Sequence, residues 1–82
     1  MKVWYGEHGI HKIRVENKIS NVTLYINDMV TDMDASLVSS KLTGELPSGE
    51  KVVAILGQGL TGLKCKIMVG NKIIPTIRKY KW

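Results

Sequence analysis

Apolar and polar residues alternate with period two along most of this chain, in short runs broken by turn signals. That period places one residue type on each face of an extended strand and argues against an amphipathic helix. Ile13 and Val15 alternate with Lys12, Arg14 and Glu16. The alternation slips near Ser20 and Asn21, after which Val22, Leu24 and Ile26 form the next apolar row, with Thr23 and Tyr25 facing the other way. Asn27 and Asp28 tolerate positive φ and predict a tight turn, from which Met29 and Val30 start a return strand.

The clearest hairpin spans residues 42–56, where Pro47, Ser48 and Gly49 separate two arms. Proline presets φ near −65° and glycine adopts a left-handed position without steric cost, so the chain should reverse there. A final hairpin runs from Leu63, Cys65, Ile67 and Val69 through Gly70 and Asn71 into Ile73 and Ile74. Pro75 has no N–H for a ladder, which puts the last strand at a sheet edge. Residues 22–30 and 65–73 share the same strand, two-residue turn and return strand, a weak internal repeat that any two β-hairpins would also show. Residues 32–40 lack a full apolar stripe. They read as a loop or an edge strand, with one helical turn capped by Asp34 as the alternative.

These signals predict an all-β fold, a small barrel or sandwich of roughly six or seven short, mostly antiparallel strands in hairpins. Residues 52–56 and 67–69 are apolar at consecutive positions, so something should cover the second face of the sheet there. A strand crossing between layers or a chain terminus would do so, and so would a homodimer interface.

With 82 residues, the chain has material for one core, and a single all-β domain over residues 1–82 is expected. An apolar fraction of 44% with 23% charged residues is ordinary globular composition rather than that of a disordered chain. The one cysteine, Cys65, excludes an internal disulfide and favours a reducing compartment. No signal-peptide-like run opens the sequence, and no apolar span of about 18 residues could cross a bilayer as a helix. A cytoplasmic location with no membrane partner is therefore expected, although residues 21–23 form an N-glycosylation sequon that would matter in a secreted protein.

Chemistry-bearing motifs are sparse. His8 and His11, three apart around a turn, provide at most half of a zinc site and would point to opposite faces of one continuous strand. Asp28, Asp32 and Asp34 lack the spacing of a calcium loop and read as turn chemistry and surface charge. Gly57, Gly59 and Gly62 match a G-x-G-x-x-G pattern, but the residues after them read as a strand, so no helix N-terminus faces a phosphate. A bulge or tight strand connection explains the glycines better. Cys65 shares a row with Ile67 and Val69, which makes it a small buried hydrophobe, and Lys64 and Lys66 should face the other way. No catalytic residue, metal site or cofactor is nominated, and an enzyme is not expected.

Charge is uneven. Residues 64–82 hold Lys64, Lys66, Lys72, Arg78, Lys79 and Lys81 with no acidic residue, whereas residues 1–63 hold six basic and seven acidic residues. Tyr80 and Trp82 are interleaved with those cations, and rings among lysines suit stacking on single-stranded bases while the lysines track phosphates. Alternatively, the lysines protect an edge strand and the aromatics pack at the core rim.

Residues 22–31, residues 42–52 with Leu42, Thr43, Gly44, Glu45, Leu46 and Pro47, and residues 62–67 together resemble small uncharacterised bacterial β proteins built of strand, turn and strand units. The resemblance covers about two thirds of the chain, and its motifs are turn residues and apolar alternation. It implies a fold and no activity. The expected function is that of a non-enzymatic structural or protein-interaction domain, with a nucleic-acid or polyanion binder using the basic C-terminal hairpin as the alternative. Far-ultraviolet circular dichroism should give a β-dominated spectrum, and helix content above about one third would overturn the strand reading.

Overall fold

The computed structural model describes residues 1–35, 40–60 and 62–80, the Tyr80 side chain excepted. Nine strands follow one another in these residues: β1 (Lys2–His8), β2 (His11–Asn17), β3 (Val22–Ile26), β4 (Met29–Asp34), β5 (Ser40–Glu45), β6 (Lys51–Gly59), β7 (Gly62–Val69), β8 (Lys72–Ile74) and β9 (Ile77–Tyr80). They form two antiparallel sheets, one ordered β4-β3-β2-β1-β9 and the other β5-β6-β7-β8. The all-β expectation holds, but the count exceeds six or seven. Among the described residues, no ladder joins the sheets into a closed barrel.

Two features hid the additional strands. In β1, Val3 and Trp4 are both buried, so alternation breaks where the strand is most enclosed. At the C-terminal end, Pro75 separates two very short strands that belong to different sheets. β8 is the edge of the four-stranded sheet and β9 the edge of the five-stranded one, which agrees with the edge position that Pro75 requires.

The tight turns follow their residue chemistry. Asn27 and Asp28 have φ of 51° and 66°, and Gly49 has φ of 94°. In the 46–50 turn, Leu46 donates its N–H to Glu50 O at 2.8 Å and Gly49 donates to Leu46 O at 2.8 Å. Gly57, Gly59 and Gly62 lie on the β6–β7 hairpin, a strand connection and not the start of a helix. In the 32–40 segment, β4 extends to Asp34 as an edge strand, while residues 36–39 lie outside the described residues.

Alternate residues of the two sheets meet in one core. Trp4, Ile13, Val15, Val22, Leu24 and Ile26 come from the five-stranded sheet, and they pack with Leu42, Val52, Ala54, Leu56, Ile67 and Val69 from the other. Folding stability for a chain of this size is about 4–12 kcal/mol. A single Leu-to-Ala truncation in such a core costs about 2–5 kcal/mol, so these positions decide whether the chain folds.

The sheets approach closely where β4 passes β5. The β3–β4 ladder shifts register between Leu24 and Tyr25, a bulge that leaves Thr31 without a cross-strand partner. The Thr31 methyl group lies against Gly44, where any Cβ would collide with it and would also come within 2.9 Å of Ile26 Cδ1. Next to it, the Asp32 carboxylate accepts the Thr43 N–H at 2.9 Å, so a side chain satisfies an edge amide of β5. Gly44→Ala should therefore destabilise the fold by about 1–3 kcal/mol through overpacking. Gly57→Ala, where the new methyl meets nothing within 4 Å, should shift the urea midpoint little. Equal midpoints for the two variants would show that the seam is not tightly packed.

Candidate docking surface

The expected basic hairpin is divided by the fold. Lys64 and Lys66 lie on β7 and Lys72 on β8, but Arg78 and Lys79 lie on β9 in the other sheet. Strand parity sends Lys64 and Lys66 to the outward face of the four-stranded sheet, because Leu56 and Cys65 are partners on its core side. Lys79 is opposite Val3 and lies 5.6 Å from the Tyr5 ring centroid, on the outward face of the five-stranded sheet. Lys64 and Lys66 thus lie on the opposite side of the sandwich from Lys79. Lys81, Trp82 and the Tyr80 side chain lie outside the described residues.

The outward face of the five-stranded sheet carries a row that single-strand reading missed, with Tyr5, Arg14, Tyr25 and Val30 cross-strand partners in turn. Its rings are already engaged by the chain's own cations. The Arg14 guanidinium lies 4.1 Å from the Tyr25 ring centroid, and Lys18 Nζ donates to Tyr25 Oη at 2.5 Å. Arg14 also meets Glu16 at 2.8 Å and Asp28 at 2.6 Å. Burial by itself would disfavour its charge, but the Asp28 hydrogen bond and the two carboxylates outweigh that and raise its pKa. This face is internally neutralised, which leaves little free charge for a phosphate chain.

The outward face of the four-stranded sheet differs. Thr43, Val53, Met68 and Ile73 form one cross-strand row, and Lys41, Ile55 and Lys66 form the next. Val53 and Met68 are half-buried, whereas Ile55 is 40% and Ile73 63% exposed. The consecutive apolar residues of β6 thereby resolve into Val52, Ala54 and Leu56 in the core and Val53 and Ile55 facing outward. Among the described residues, no carboxylate forms an ion pair with Lys41, Lys64 or Lys66 on this face.

A groove of about 450 Å³ opens at one end of this face, lined by Ile55, Gly57, Lys64, Cys65, Lys66 and Ile73 among others, with no acidic residue in its lining. Glycines shape it. The Lys64 side chain lies across Gly59, where an added Cβ would be 2.9 Å from Lys64 Cε, and Gly57 leaves open space. β8 contributes a second cause by being short. It pairs only with residues 67–69 of β7, so residues 62–66 have β6 on one side and, among the described residues, no strand on the other.

Other candidates assemble less. His8 and His11 are directly opposed across the β1–β2 turn, which corrects the expectation of opposite faces, since a hairpin and not one continuous strand connects them. Their side chains still diverge, His8 Nε2 lying 3.2 Å from Glu50 Oε2 and His11 Nδ1 lying 3.1 Å from Asn27 Nδ2. Among the described residues, no three His, Cys, Asp or Glu side chains gather as metal ligands. No helix among them is long and apolar enough to cross a membrane.

The chain matches no family model, no curated protein and no solved structure. Function must therefore be read from its own side chains.

Cys65 borders both the groove and the core, and it is half-buried. Burial pushes its thiol up from 9.0 to about 12, leaving little nucleophilic thiolate near neutrality. Labelling by a thiol reagent should be slow in the native state and fast in urea, and rapid native labelling would show an accessible thiol. The folded pKa lies above the unfolded one, so this contribution to stability is complete below about pH 9 and is lost as pH rises toward 12. Alkaline unfolding should therefore begin at higher pH in Cys65→Ala than in the parent, and coincident curves would contradict the shift.

Proposed function

We propose that this chain is a non-enzymatic protein-interaction domain that binds its partner on the outward face of the four-stranded sheet. One observation carries the reading: exposed Ile55 and Ile73 stand beside a groove whose charged lining residues are all lysines. Apolar side chains clustered on a surface and rimmed by charge are the pattern of interaction sites. The single cysteine, with its suppressed thiolate, suits a reducing cytoplasmic setting.

Charge argues for a different molecule as the partner over a second copy of this chain. A twofold pairing of this face with itself would bring Lys41, Lys64 and Lys66 near their own counterparts, and like charges brought together at an interface cost several kcal/mol. Nucleic acid fits less well, because none of the described residues lining the groove carries an aromatic ring for base stacking. The Tyr5 and Tyr25 rings are on the other sheet, with cations already beside them.

Affinity capture from the source cells should compare the parent chain with a doubly substituted Ile55→Asp, Ile73→Asp variant. Both positions are exposed, so the variant should keep its circular dichroism spectrum and thermal midpoint. It should lose a protein that the parent recovers in stoichiometric amount, while Lys12→Asp on the other sheet should retain it. Equal recovery by parent and double variant, or recovery of nucleic acid alone, would overturn the proposal.

A further inference from the structure

We infer that the partner contributes an extended segment of alternating apolar and acidic residues, which adds as a strand to the open side of β7 at residues 62–66. This deepens the interaction reading above and rests on it. Backbone geometry carries the first step. Gly70 and Asn71 form a two-residue turn, so Val69 and Lys72 are the hydrogen-bonded pair that closes the β7–β8 hairpin. Alternation then directs the backbone N–H and C=O groups of Ile67, Cys65 and Leu63 to the side away from β6. The Gly70 N–H, which donates to Lys51 O at 2.8 Å, has the opposite parity and faces β6 as this requires. Ile67 meets Ile74 on β8, but β8 ends before Cys65 and Leu63. Their main-chain groups are therefore aligned for another strand, and strand addition is a recurring mode of peptide recognition.

Side-chain parity specifies the partner's sequence pattern. Leu63 and Cys65 pack against the core on one face of β7, while Lys64 and Lys66 are exposed on the other. Cross-strand neighbours in a sheet share a face, so an added strand places every second residue beside Leu63 and Cys65 and the intervening ones beside the lysines. Apolar residues suit the first set, where Ile74, opposite Ile67, continues the same face of the groove wall. Carboxylates suit the second, since opposite charges on adjacent strands attract. A polyanion without a peptide backbone could use the lysines but would leave the strand edge unpaired.

The test is fluorescence anisotropy with the full chain and a short fluorescein-labelled peptide of alternating valine and glutamate. Saturable binding is expected, with the Leu63 and Cys65 amides becoming protected from hydrogen exchange. A peptide of the same charge with proline at alternate positions lacks the required N–H groups and should bind at least about tenfold more weakly. Lys64→Glu with Lys66→Glu, at exposed positions, should weaken binding by a similar factor without altering the circular dichroism spectrum. Equal binding of the proline peptide would overturn strand addition, as would equal competition by single-stranded DNA. If the alternating peptide fails to bind at all, this inference falls, whereas the broader interaction reading is judged separately by the Ile55 and Ile73 capture result. Concentration-dependent self-association that excludes the peptide would identify a second copy as the occupant and would also overturn the proposal.

Discussion

The contact between Thr31 and Gly44 limits how the two sheets can meet. A bulge in the β3–β4 pairing releases Thr31 from the ladder, and the absence of a side chain at Gly44 lets it approach β5. At that approach Asp32 reaches the Thr43 amide, so the edges of the two sheets are joined through a carboxylate instead of a ladder. An exposed edge amide left unpaired would be open to pairing with another chain, and Asp32 closes that position. The opposite seam uses covalent continuity, because the chain leaves β8, passes Pro75 and enters β9 in the other sheet. Between these seams the apolar rows face each other.

This arrangement separates the molecule's charges by face. The five-stranded sheet neutralises much of its own outward charge, with Arg14 between Glu16 and Asp28 and the tyrosine rings beside Arg14, Lys18 and Lys79. The four-stranded sheet leaves Lys41, Lys64 and Lys66 among Ile55, Met68 and Ile73. A positive net charge summed over the chain is thus a poor guide to where an anionic group would settle, since the same residue type is structural on one side and available on the other.

Hairpins were legible because their signals are local. Asn27 with Asp28, Pro47 with Gly49 and Gly70 with Asn71 each specify a reversal from a few neighbouring residues, and the inward parity of Cys65 followed from its row with Ile67. What stayed hidden depends on pairing between distant strands. The Tyr5, Arg14 and Tyr25 row requires the registers of β1, β2 and β3 together, and the open side of β7 requires knowing that β8 stops at Ile74. The basic residues that are neighbours in sequence are divided between the sheets for the same reason. Lys72 and Arg78 are close in sequence, but the intervening proline sends them to different sheets, and composition carries no information about that change of layer.

The pairing of β1 with β9 has a mechanical consequence. Lys2 is directly opposite Tyr80 in an antiparallel ladder, so these two positions lie side by side. Tension applied between them would load the ladder's hydrogen bonds one after another, because those bonds run perpendicular to the strands. Such peeling resists force far less than simultaneous shear of a whole ladder. The same adjacency would let the fold sit within a surface loop of a host protein while separating the host's flanking residues by little more than one interstrand spacing, about 4.7–4.9 Å.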